Sequence, residues 1–148
     1  MHRPVVLAVL LAGCGSDIDQ GTADALWTEI HALEYRSFRR APGYDEPRPT
    51  IRAHGDTALV FLDPTIAAAA EGSQALTEWP EGSLLVKDSY SGSELQLIAA
   101  MQKRAQGWVF VEWDADGDAK YAGRPEVCVN CHQAGGDFVL SVALPGGQ

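Results

Sequence analysis

Apolar residues are spaced in three ways along this chain, and each spacing predicts a different element. Pro4 to Ala12 (PVVLAVLLA) is an unbroken apolar run behind a short basic start, His2 and Arg3. From Thr22 to Arg39, Ala23, Leu26, Trp27, Ile30, Leu33 and Phe38 recur mostly every three or four residues, which predicts an amphipathic helix. Thr22 is its expected N-cap, Arg39 and Arg40 suit its last turn, and Pro42-Gly43 stops it. Residues 41–50 (APGYDEPRPT) hold three prolines and predict a stiff surface loop.

Beyond that loop the period shortens. Thr50–His54 and Thr57–Leu62 flank Gly55-Asp56 and predict a hairpin. Pro64 to Glu71, with four consecutive alanines, predicts a short helix closed by Gly72. Ser83–Tyr90 and Gly107–Trp113 read as strands. Leu95–Lys103 is periodic in neither sense, and its neighbours assign it to strand. Phe138–Leu144 is the expected last strand. The fold class is therefore α+β: an N-terminal helix plus a mainly antiparallel β-sheet, because neighbouring strands in sequence can pair directly.

Length and charge narrow the class of partner. A chain of 148 residues suits one domain. Its net charge of −9, with no basic run to offset it, argues against nucleic acid. The nine-residue apolar run falls far short of the roughly 20 that cross a bilayer and fits an export signal. It ends in Leu11-Ala12-Gly13-Cys14, which resembles the lipobox of bacterial lipoproteins. That resemblance implies cleavage before Cys14, acylation of its thiol, and a periplasmic protein held to a membrane, the outer one expected, by lipid alone. The chain then divides into a signal (1–13), a lipidated tether (14–21) and one domain (22–148).

Two cysteines remain, in Cys128-Val129-Asn130-Cys131-His132. CxxCH is the attachment sequence of c-type haem. On a helical turn near the C-terminus, Cys128 and Cys131 at i and i+3 can reach the two vinyl groups along one porphyrin edge, and His132 can bind the iron. A thioredoxin-type CxxC needs a βαβ context that the element order lacks. A structural zinc site would lack its second cysteine pair, and a plain disulfide leaves His132 without a role. One motif implies one covalent haem c. Met101, His31 and His54 are the candidates for a sixth ligand. Asp114, Asp116 and Asp118 imitate a calcium loop, but Pro125 stands where the closing Glu belongs, and Asp116-Gly117 is more simply a hairpin turn.

Several segments in order resemble the cytochrome P-460 family, which includes the cytochromes c′-beta. They are His54-Gly55, Val60-Phe61-Leu62-Asp63-Pro64, Trp79-Pro80-Glu81-Gly82, Val86-Lys87-Asp88, Met101-Gln102-Lys103, Gly107-Trp108, the CxxCH and Asp137-Phe138-Val139-Leu140. The resemblance implies a sheet-rich homodimer with His132 as proximal ligand and an open distal site for small nitrogenous ligands or diatomic gases. Lys87 matches the lysine that catalytic members join to the porphyrin. Those members also use a distal carboxylate as a base, and Glu112 and Glu126 are the candidates here.

The function expected is that of an exported mono-haem cytochrome acting on or binding hydroxylamine or nitric oxide, with a periplasmic redox partner. A non-catalytic module for nitric oxide or carbon monoxide and a simple electron carrier are the alternatives, and enzyme activity is left open between them.

Overall fold

The structure is a computed structural model that describes residues 18–50 and 52–146. The export signal and Cys14 lie outside the described residues. A meander organises the fold: β3 (Thr57–Leu62), β4 (Leu84–Ser91), β5 (Glu94–Arg104), β6 (Gly107–Asp114) and β7 (Ala119–Gly123) follow one another in space as in sequence, each antiparallel to the next. Two short strands, β1 (Arg39–Arg40) and β2 (Arg48–Pro49), share the outer edge of β3 and complete a seven-stranded sheet. With α1 (Gln20–Ala32), α2 (Pro64–Glu71) and α3 (Glu126–His132), the architecture is α+β on a mainly antiparallel sheet.

Strand alternation sends side chains to two separate cores. Phe61, Val86, Ile98, Ala100, Val111 and Trp113 point to one face, where Ala23, Leu26 and Ile30 of α1 cover them. Val60, Leu62, Leu85, Met101, Trp108 and Phe110 point to the other, against Ile66 of α2, Trp79 and Val139. Burial on both faces removes the polar half of the pattern. A bulge adds to this in β5: Ser89 pairs with Leu97 and Tyr90 with Leu95, so Gln96 is an extra residue that resets the alternation. These two facts explain why Leu95–Lys103 is periodic in neither sense and yet is a strand.

Several local expectations are corrected. The first helix ends at Ala32 rather than Arg39, because Glu34 turns into the left-handed region (φ 51) and the next residues are drawn to the sheet. There the Tyr35 hydroxyl and Arg36 Nε each donate to the fully buried Asp88 at 2.7 Å, and Arg39 and Arg40 become β1. Its N-cap is Asp19, whose carboxylate accepts from the Thr22 amide (3.0 Å) and hydroxyl (2.8 Å). Ile18 bridges to Ala122, so the packed body already includes residues assigned to the tether.

The partner of β3 is Arg48–Pro49, not Thr50–His54; residues Arg52–His54 form a 3-10 turn instead. Phe138–Leu144 is no strand, since Asp137 (φ 47) and Phe138 (φ 67) both leave the extended region, although Val139 and Val142 are still buried. The unforeseen strand is β7, and the turn joining it to β6 carries the expected Asp116-Gly117, with Gly117 at φ 94. Asp114 there accepts from the amides of Asp116 and Asp118 and pairs with Lys120, a turn rather than a calcium loop.

Candidate functional site

α3 begins after Pro125, whose carbonyl accepts from the Cys128 and Val129 amides, and Glu126 in its first turn suits the helix dipole. Val129 packs on the second core and fixes the rotation of the helix. Cys128 is thereby half-buried and Cys131 exposed, both as free thiols one turn apart. His132 closes the helix with its ring 5.0 Å from that of Phe110. Its Nδ1 lies 3.0 Å from the Phe138 carbonyl, which can only accept, so Nδ1 carries the proton and Nε2 keeps its lone pair.

Facing α3, the sheet supplies a floor. Val60, Lys87, Ala99, Glu112 and Tyr121 form one cross-strand row, and Leu85, Met101 and Phe110 form the next. Ala99 is too small to fill the space between Lys87 and Glu112. The result is a cleft of about 290 Å³ bounded by both rows except Tyr121, by the 3-10 turn and by Cys128, Cys131 and His132. Glu112 reaches across it to His54, with Oε2 3.1 Å from Nδ1, and the His54 ring stands 6.5 Å from that of His132.

Burial governs the charges here. It pulls the Lys87 amine down to about 8 against the attraction of Glu112 and Cys131. It pushes the Cys128 thiol up to about 11, helped by Glu112 and Cys131. It also lowers His132, against the pull of the Phe138 carbonyl, which favours the neutral ring that a metal requires.

The fold thus brings together Lys87, Glu112, Cys128, Cys131 and His132, along with Met101 and His54. It does not bring in Glu126, which is exposed at the start of α3 and does not line the cleft. That carboxylate is close in sequence but lies at the far end of the helix. His31 is on the opposite face of the sheet, its ring centroid 4.2 Å from that of Trp27 and tilted by 43°, and so is remote from the cysteines. Sequence reasoning missed the His54 contact to Glu112 and the roles of Ala99 and Phe110 in shaping the cleft. Only the two-residue alternation of β6 carried a signal, for Phe110; the pattern of β5 gave none for Ala99.

The donor set fits a haem. Two thiols one turn apart, a neutral imidazole with a committed Nδ1, and an adjoining cleft with a largely apolar floor match a flat macrocycle better than a bare ion. Among the described residues no group of three His, Cys, Asp or Glu could hold a metal ion; a haem would ask of this chain the two thiols and an imidazole nitrogen, which Cys128, Cys131 and His132 could supply. In comparisons with protein-family models, curated proteins and solved structures, nothing matches this chain.

Proposed function

We propose that this chain is an exported c-type cytochrome with a single haem, which binds or oxidises small nitrogen species such as hydroxylamine or nitric oxide. The observation that carries it is the meeting of Cys128, Cys131 and His132 at a cleft that also contains Lys87 and Glu112. When bound, a haem would supply an iron able to exchange single electrons and take small ligands.

The residues divide the remaining work. Cys128 and Cys131 hold the group to α3, and His132 presents Nε2 while the Phe138 carbonyl keeps the proton on Nδ1. Met101, Phe110 and Val60 exclude water from the cleft, which strengthens the charges inside it. Glu112 Oε1, the oxygen not engaged with His54, accepts the proton that leaves an oxidised nitrogen substrate. Lys87 as a free amine sets a positive charge opposite Glu112; by its match to the family lysine it is also the candidate for a covalent bond to the ring, which would replace an Nζ–H and a ring C–H, need a two-electron oxidant of the peroxide class and remove that charge. Acylation of Cys14 would tether the domain to the periplasmic face of the membrane; a homodimer and a periplasmic electron acceptor complete the reading.

Expression with a c-type maturation system tests the proposal. The optical spectrum should show haem that stays on the polypeptide after denaturation and is lost when Cys128 and Cys131 are both replaced by serine. A red-shifted ferrous Soret band would report the Lys87 bond. Fully matured protein without haem overturns the reading. The second reading, a non-catalytic gas-binding module, is favoured by the apolar floor, and it predicts ligand binding with no steady-state turnover of hydroxylamine with an artificial acceptor.

A further inference from the structure

Beyond α3 the chain doubles back within a few residues. The Gly135 amide donates to the His132 carbonyl (2.9 Å), Phe138 to Gly135 (3.3 Å) and Val139 to Gly136 (3.2 Å). Asp137 and Phe138, at φ 47 and 67, occupy the left-handed region in succession. Asp enters that region readily, but a bulky residue such as Phe does so only where its surroundings hold it there.

A part-buried ion pair ties this turn to β5. Lys103 Nζ, at the end of β5, lies 2.8 and 3.0 Å from the two carboxylate oxygens of Asp137. Their side chains are only 11% and 12% exposed. The same carboxylate accepts from the Trp79 amide at 2.8 Å, and the Trp79 indole N–H donates to the Gly136 carbonyl at 3.1 Å. Besides its own backbone bonds, the turn is therefore tied from outside by Lys103 and Trp79. The turn has one polar product on the site side: the Phe138 carbonyl, 3.0 Å from His132 Nδ1.

We propose that the Lys103–Asp137 ion pair is a positioning device for His132: it holds the left-handed turn that aims the Phe138 carbonyl at Nδ1 and so presents Nε2 to the iron. Partners of this kind fix the tautomer of a ligating histidine and raise its basicity. Lys103 and Asp137 touch no reacting atom and act only through the backbone of residues 136–138. Glu78 also meets Lys103, at 3.1 Å, but its side chain is 69% exposed and it contacts nothing in the turn, so it has no part in the device.

The iron-ligand part rests on the function proposed above, whereas the tautomer can be read without iron. In the haem-free full chain, nitrogen-15 NMR should give one His132 tautomer, protonated at Nδ1. Lys103→Met and Asp137→Asn should each convert it to a mixture, Lys103→Arg should restore it, and Glu78→Gln should leave it unchanged. In the haem-bearing chain the first two should lower the iron–histidine stretching frequency in resonance Raman and raise the midpoint potential, as a less basic ligand does. Circular dichroism and the thermal midpoint separate these effects from misfolding. If Lys103→Met does not fold, Asp137→Asn decides, because it keeps the shape and an acceptor for Trp79. A folded variant with the wild-type tautomer and stretching frequency overturns the inference, as does a folded Lys103→Arg that fails to restore them. A tautomer that responds in a chain that never acquires haem sinks the functional reading and leaves the positioning device standing.

Discussion

Lys87 and Glu112 stand in a single row across the sheet with Ala99 between them. Strands lie about 4.8 Å apart, so their Cα atoms are roughly 10 Å apart, and the small Ala99 side chain leaves the floor of the cleft open between them. Ala99→Leu should fill it. Overpacking of about 1–3 kcal/mol corresponds to a loss on the order of tenfold in ligand affinity or haem incorporation. The sheet itself should survive, with an unchanged far-ultraviolet spectrum. Gas-ligand titration of the variant checks this, and an unaltered affinity would show that the row does not border the ligand.

The same row fixes a pH dependence. Lys87 has an ordinary value of 10.5 and a folded value of about 8. The unfolded chain therefore binds more protons between these values, and stability rises with pH across that window. Cys128, raised from 9.0 to about 11, acts in the opposite sense between those limits. Urea unfolding of the haem-free wild type and Lys87→Met, compared at each pH, cancels the thiol. The part of the difference that changes with pH should favour Lys87→Met by about 3 kcal/mol near neutrality and be gone above about pH 10.5.

Glu112→Gln separates chemistry from assembly. The amide keeps an oxygen to face His54 but cannot take a proton. Loss of a general base costs about 10²- to 10⁴-fold in turnover, so hydroxylamine oxidation should fall by that factor. Haem content and the spectrum of the resting protein should be unchanged. Equal turnover in the variant would remove Glu112 from the chemistry.

How much of this could be read beforehand depends on how local each determinant is. Pro64–Glu71 was legible because Asp63 caps it from the adjacent residue, accepting from the Thr65 and Ile66 amides, and Gly72 closes it. The strands β4 and β6 were equally plain. The Cys128, Cys131 and His132 trio could be read directly because it lies within five consecutive residues. By contrast, the end of α1 was not legible, because it is decided by Asp88, 53 residues from Tyr35. His54 and Glu112 are 58 residues apart and meet only through the sheet register, so the residues alone gave two unranked glutamates, Glu112 and Glu126. The turn at Asp137-Phe138 read as strand because Val139 and Val142 supply the right residue types, while the Lys103 pair that overrides them is 34 residues away.

Two glycines with left-handed or tightly packed backbones should differ sharply in what they tolerate. At Gly82 (φ 88) an added Cβ would meet nothing within 4 Å, so Gly82→Ala carries only the left-handed penalty, about 1–2 kcal/mol. At Gly135 the same atom would overlap the carbonyl group of Val139, which is backbone and cannot swing aside. The turn must then open, and with it the approach of the Phe138 carbonyl to His132. Gly135→Ala should lower stability by roughly 3 kcal/mol or more, beyond the range of ordinary surface changes. It should also loosen His132, whereas Gly82→Ala should leave the imidazole as it is. Thermal unfolding ranks the two, and the nitrogen-15 spectrum of His132 reads the coupling. If Gly135→Ala unfolded no more easily than Gly82→Ala, the turn would not be the rigid support that the positive φ angles and the Val139 contact imply.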